Sequence, residues 1–187
     1  MINQKQIYKS CSFHQCYMGR VSERSKWRFK HSLNQLRRPW QSSMPVVKIA
    51  PKVCKEIMLT IGTRYPESGG ILLGPIGTTD ITDFYFDEHA NCTGSSYTVD
   101  AGTLRQKMKE EWLPAGIDMK GFVHSHPGSF DRLSAGDMAY IKRSMLKNKE
   151  DKMFVAPIVI PSEFRLRPYV VLRENLNIAH EARFVYF

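Results

Sequence analysis

The sequence predicts an α/β domain, a mixed sheet flanked by helices, and three observations point to it. Segments with helical apolar spacing alternate with short β-branched and aromatic runs, the pattern of strands interleaved with helices. Several of those runs follow one another across turns too short to hold a helix, so some strands pair directly and the sheet is not all-parallel. The chain has 187 residues, 42% hydrophobic and 24% charged, which suits one domain with a proper core plus an appendage.

The appendage is residues 1–45. It holds nine Lys and Arg against the single Glu23, a net +8, whereas residues 46–187 hold 18 basic and 17 acidic residues, a net +1. The formal charge of +9 therefore belongs to the extension, and so would any attraction to a polyanion. Tyr8, Phe13, Tyr17, Trp27, Phe29 and Trp40 are scattered through it without a helical or strand period, so a flexible or partner-ordered arm is expected. Arg and Lys interleaved with aromatics suit nucleic acid, an acidic protein partner or solubility alone. Nucleic-acid binding is not expected of residues 46–187.

Within the domain, Val46 to Thr63 carries Val53, Ile57, Met58 and Ile61 at the spacing of one helix face, with Pro51 suited to the first turn and Gly62 to the end. The run Ile71 to Leu73, closed by Gly74 and Pro75, reads as a short buried strand. Thr79 to Asp87 reads as its neighbour across a turn at Gly77, and the two are expected to pair as a hairpin. His89 to Thr98 is rich in turn residues and reads as a loop. Asp100 is placed to cap a helix that bears Leu104, Met108 and Trp112 and is stopped by Pro114 and Gly116. A strand is expected over Lys120 to His126, and a second helix from about Ser134 to Leu146 with Met138, Ile141 and Met145 inward. Met153 to Ile160 and Phe164 to Leu172 read as two strands, and Ala182 to Tyr186 as a last one.

No stretch approaches the about 18 apolar residues that span a bilayer, and Met1 to Ser10 lacks the apolar run of a secretory signal, so a cytoplasmic protein with no membrane association is expected. The four cysteines, Cys11, Cys16, Cys54 and Cys92, are few for a disulfide framework and fit a reducing compartment. Cys11, His14 and Cys16 match no common zinc spacing.

The chemistry gathers in His124 to Asp137, HSHPGSFDRLSAGD. Two histidines at i and i+2 of a strand leave the same face, which is a way to hold one metal ion. Ser134 and Asp137 have the spacing of a helix start, where a hydroxyl caps the first turn and an acid lies on it. Two imidazoles and one carboxylate leave the fourth corner of a tetrahedral zinc open, as in catalytic rather than structural sites. Amide hydrolysis at such a site also needs a base. Glu67, at the head of a glycine-rich strand whose lack of bulk would admit water and substrate, is the candidate; the alternative is a surface Glu in a turn.

Glu67 with Ser68-Gly69-Gly70-Ile71-Leu72-Leu73-Gly74, then His124-Ser125-His126-Pro127 and Ser134-Ala135-Gly136-Asp137, resembles the complete signature of the JAMM/MPN+ (JAB domain) zinc metalloprotease family. The resemblance covers about Val46 to Leu172 and leaves the extension outside. It implies a cytidine-deaminase-like three-layer fold. It also implies one catalytic zinc on His124, His126 and Asp137, Glu67 as general acid/base, and Ser134 as a donor to the tetrahedral intermediate. The implied substrate is the C-terminal tail of a ubiquitin-like protein or its conjugates, cut as an isopeptide bond or as a precursor extension. That tail would lie along an exposed strand near Glu67.

Family members that cleave particular polyubiquitin linkages carry an insertion with a second zinc. Here Lys147 to Lys152 is short and polar and no cysteine follows Cys92, so only the catalytic ion is expected. The chain is similar to the compact prokaryotic branch, found beside activating (E1-like) and conjugating (E2-like) enzymes and ubiquitin-like proteins, including in antiphage operons. Related members process sulfur-carrier proteins, and others are silent scaffolds that bind a partner. His89, Cys92 and residues 94–96 precede the helix at a place where members often contact the tail, and equally suit a plain surface loop.

Overall fold

Val46–Ile49 opens the fold as a strand, β1, rather than as part of the helix that follows. Its side chains alternate, Val47 and Ile49 fully buried and Val46 and Lys48 exposed, the period of a half-buried strand. Helix α1 (Pro51–Thr60) then starts at Pro51, whose missing N–H is harmless in a first turn, and tightens into a 3-10 turn over Ile61–Thr63. Val53, Ile57 and Ile61 are fully buried along it, each contributing about 1.5–3 kcal/mol through burial. The computed structural model describes residues 44–64, 67–93, 96–126, 128 and 130–187. The arm expected over residues 1–45, with Cys11, Cys16, Trp27 and Trp40, lies almost wholly outside the described residues.

β2 (Gly69–Pro75) and β3 (Asp83–Phe86) pair antiparallel, the expected hairpin. The segment read as a loop, His89 to Thr98, instead holds a short hairpin, β4 (Asn91–Thr93) against β5 (Ser96–Thr98). Its turn-rich composition hides one inward ring, Tyr97, which packs on Gly69. Helix α2 (Ala101–Lys107) is capped as expected by Asp100, whose side chain accepts from the backbone N–H groups of Gly102 and Thr103. It passes into a π-helical turn over Met108–Trp112. Residues four apart drift by about 40° per step in an α-helix, so a more slowly winding turn helps carry Trp112 back to the sheet, where it meets Tyr85 edge-on.

β6 (Ile117–Ser125) is the predicted histidine strand, and α3 (Ala135–Lys147) the predicted second helix. The two strands expected over Met153 to Leu172 are four: β7 (Met153–Val155), β8 (Ile158–Ile160), β9 (Arg165–Arg167) and β10 (Tyr169–Leu172). Pro157 and Pro168 stand at the two breaks, where a residue without an N–H interrupts a ladder. β11 (Ala179–Glu181) and β12 (Arg183–Tyr186) end the chain.

These strands make an eight-stranded mixed sheet in the order β11-β10-β7-β6-β2-β3, with β8 continuing beside β6 and β9 beside β8. β6 runs antiparallel to β2 and parallel to β7 and β8; β1 and β12 form a separate parallel pair. Side-chain alternation divides the core. Leu72, Val123, Val155 and Val170 pack with α1 on one face, and Ile71, Phe122, Phe154 and Val171 pack with Leu104, Ile141 and Met145 of α2 and α3 on the other. Helix, sheet and helix are therefore three layers. At Gly121 any Cβ would overlap the Val155 carbonyl, so close strand contact in mid-sheet requires glycine there. Among the described residues no helix is long and apolar enough to cross a membrane.

Candidate metal centre

Alternation along β6 sends Val123 into the α1 layer and Phe122 and His124 toward α3. His126 follows just past the strand end, still held by its N–H donating to the Val159 carbonyl (3.1 Å). Both imidazoles are buried. Their Nε2 atoms approach to 2.7 Å, and both Nδ1 atoms are buried without a hydrogen-bond partner among the described residues. His124 contacts the rings of His126 (centroids 4.5 Å), Phe122 (5.1 Å) and Tyr97 (6.0 Å, interplanar 19°), and His126 stacks on Phe130 (5.1 Å, 30°).

The N-terminus of α3 supplies the carboxylate. Ser134 and Asp137 form the expected reciprocal cap: Ser134 Oγ accepts from the Asp137 N–H (3.1 Å), and Asp137 Oδ2 accepts from the Ser134 N–H (2.7 Å). That second bond aims the carboxylate at the histidines, with Oδ1 at 3.3 Å from His124 Nε2 and Oδ2 at 3.5 Å from His126 Nε2. Because Ser134 Oγ acts only as an acceptor in the cap, its own proton remains free to donate into the cleft.

Glu67 arrives through strand register. β2 and β6 pair with Gly69 opposite His124, and the next pair is fixed twice: the Ser125 N–H donates to the Ser68 carbonyl (2.9 Å), and Ser125 Oγ accepts from the Ser68 N–H (3.0 Å). Continued one further step, this register leads to Glu67 and His126, which both line the same cleft. Glu67 is buried and lines one cleft of about 660 Å³ with His124, His126, Ser134 and Asp137. All five residues singled out from the sequence thus meet at one place.

The two glycines after Glu67 do not serve the role expected of them. A Cβ on Gly69 would sit 2.6 Å from the Tyr97 ring, and one on Gly70 would overlap the Tyr85 carbonyl. Close packing within the fold occupies the space that was expected to admit substrate. Nor is β2 an exposed strand for an added peptide, since β3 and β6 pair with its two edges. β5, which among the described residues pairs only with β4, lies beside the cleft instead, with Tyr97 and Thr98 in the wall.

Charge states follow from burial. Desolvation holds the His124 imidazole below its ordinary pKa despite the nearby Asp137, which keeps it neutral. Burial alone would raise Asp137, but the hydrogen bonds from His124, His126 and Ser134 outweigh it and hold the carboxyl far below the usual range. Burial raises Glu67, and the charge of Asp137 adds to this against an opposing pull from His126. Burial and the charge of Asp87 push the Tyr97 phenol far above its usual range, so it stays a donor to Asp87 Oδ2 (3.2 Å).

Two imidazoles and an ionised carboxylate, with ligand atoms all within 4.8 Å of one another, can hold a metal ion. Tetrahedral zinc at about 2.0–2.1 Å from each ligand separates ligand atoms by about 3.3 Å, close to both His–Asp separations here. Sequence reasoning missed Tyr97, Asp87 and Phe130 around this centre. The sole signal for Tyr97 was a lone aromatic among turn residues, and the glycine it packs on lies on a different strand.

No family model and no curated protein matches the chain. Among solved structures it is similar to a Desulfitobacterium hafniense protein whose structure was determined in solution, 17% identical with a TM-score of 0.56, covering 75% of this chain and 92% of that one. It is also similar to a JAB1/MPN domain protein from Archaeoglobus fulgidus, 17% identical with a TM-score of 0.43, covering 75% of this chain and 98% of that one. The first likeness bears on the fold alone, and the fold is a central mixed sheet flanked by helices.

Proposed function

We propose that the chain is a zinc-dependent isopeptidase or peptidase of the JAMM type, cutting at the C-terminal tail of a ubiquitin-like protein. One observation carries the reading. A pattern spread from Glu67 to Asp137, needed jointly for hydrolysis, converges on one cleft that Glu67 lines together with His124, His126 and Asp137.

His124, His126 and Asp137 would hold the ion, which when bound lowers the pKa of water toward neutrality and polarises a carbonyl. Glu67, with its pKa raised by burial, takes a proton from the attacking water and passes it to the leaving amine nitrogen as the C–N bond breaks. The products are a carboxylate on the tail and a free amine on the target. Ser134 Oγ–H donates to the oxygen that gains charge during attack. Phe122, Val99 and Tyr140 limit the water around these groups, which strengthens each electrostatic contact. The tail would run past β5, whose second edge is unpaired among the described residues and offers backbone groups to an extended peptide. Activating and conjugating enzymes of a ubiquitin-like system are the matching partners.

The test uses zinc-loaded protein with two substrates, a ubiquitin-like protein extended at its C-terminus and the same protein linked to a lysine. Cleavage at the end of the tail, abolished by a chelator and restored by zinc, is the expected result. Cleavage of the extension alone would narrow the activity to trimming, as in sulfur-carrier processing. Failure to cleave either substrate would reject the reading in favour of a silent scaffold.

A further inference from the structure

Gly69 is the residue paired with His124 across β2 and β6, so its missing side chain leaves a gap directly beside the imidazole. The ring of Tyr97 fills that gap, 2.6 Å from where a Gly69 Cβ would stand, and lies nearly parallel to His124. Asp87 closes the circuit. It is buried, its N–H donates to the Gly69 carbonyl (3.1 Å), and its Oδ2 accepts from the Tyr97 hydroxyl (3.2 Å). The same Oδ2 accepts from the Asp100 N–H (3.1 Å), at the cap of α2. One residue thus joins three elements, β2 through its backbone N–H, and the β4–β5 hairpin and the start of α2 through its carboxylate.

We infer that Tyr97, tethered by Asp87, is a positioning residue that sets the His124 ring in its ligating orientation. The inference rests on the proposed metal centre. His124 Nδ1 is buried without a hydrogen-bond partner among the described residues, so the usual second contact that orients a ligating imidazole is not provided there. Ring contacts remain to do it, and of the three on His124, from Phe122, His126 and Tyr97, the Tyr97 ring is the near-parallel one and is held by its own hydrogen bond to Asp87. The arrangement also explains why a glycine is needed at residue 69: any side chain there would displace the ring.

The test compares the parent with Tyr97→Phe, which keeps the ring and loses the tether, and Tyr97→Leu, which loses both. Zn2+ affinity is measured by competition with a chromophoric chelator, and the visible spectrum of the Co2+ form reports ligand geometry. Alterations in the shell around metal ligands typically cost about 10- to 100-fold in affinity. The leucine variant should therefore bind Zn2+ about tenfold or more weakly with an altered Co2+ spectrum, and the phenylalanine variant should be intermediate. A merely structural role would lower the thermal midpoint and leave the affinity and spectrum of the folded protein unchanged. Folded variants that both bind Zn2+ within about twofold of the parent would overturn the inference and leave the metal centre standing. Should the leucine variant not fold, the phenylalanine variant decides by the same criterion. A parent that binds no Zn2+ overturns both.

Discussion

Replacing Glu67 by Gln removes one acid–base group while keeping side-chain volume, and the structure sets the size of the effect. A positioned acid–base group contributes about 10²–10⁴-fold, or about 2.7–5.4 kcal/mol of barrier at about 1.36 kcal/mol per factor of ten. The upper half of that range is expected here. Among the described residues Asp137 is the only other carboxylate lining the cleft, and it is engaged by His124, His126 and the Ser134 N–H, so no neighbour can take over. Stability should move the other way. The folded pKa of Glu67 lies above its ordinary value, so the folded state binds the proton more tightly and loses stability as pH rises through that pKa. At neutral pH the variant escapes this penalty, and its thermal midpoint should equal or exceed that of the parent. The assay is initial rates on the tail-extended substrate, with zinc content and thermal midpoint measured on the same preparations. A variant cleaving within about tenfold of the parent would refute the base assignment, and one that had lost its zinc would make Glu67 a structural part of the centre.

Ser134→Ala should slow cleavage by about 10²-fold if its hydroxyl donates to the developing oxyanion, alongside a loss of about 1 kcal/mol from the helix cap; the stability loss with an unchanged rate would leave Ser134 a cap alone. The rate should fall as pH is lowered through a value above 4.5, because the base must be ionised and burial raises its pKa. That acid limb should vanish in Glu67→Gln, and a limb retained unchanged in that variant would contradict the assignment. Gly121→Ala should fail to fold, since its Cβ overlaps the Val155 carbonyl between β6 and β7; soluble protein with the parent thermal midpoint would contradict that strand contact.

The grouping of His124, His126 and Asp137 was legible because residue types that could hold a metal fall at restricted spacing within one short stretch. Helix starts were legible for the same local reason, with Pro51, Asp100 and Ser134 each standing where a first turn begins. The position of Glu67 was not, because it depends on register between β2 and β6 and on the paired Ser68 and Ser125 contacts. Tyr97 was hidden for a similar reason, since its packing site is the absence of a side chain on a different strand. The exposed substrate strand failed because an apolar, glycine-rich run looks alike whether one edge or both are paired, and here both are. Other misses were avoidable. The alternation in Val46–Ile49 was present in the sequence, as were Pro157 and Pro168 at the breaks that turn two expected strands into four.

The central claim is that His124, His126 and Asp137 hold a metal ion on which cleavage depends. Elemental analysis of the purified chain, after reconstitution and removal of loose metal, tests it most directly. The account predicts one zinc per chain in the parent, lost in Asp137→Ala. A parent that stays metal-free, or an Asp137→Ala variant that retains its full zinc, would contradict it.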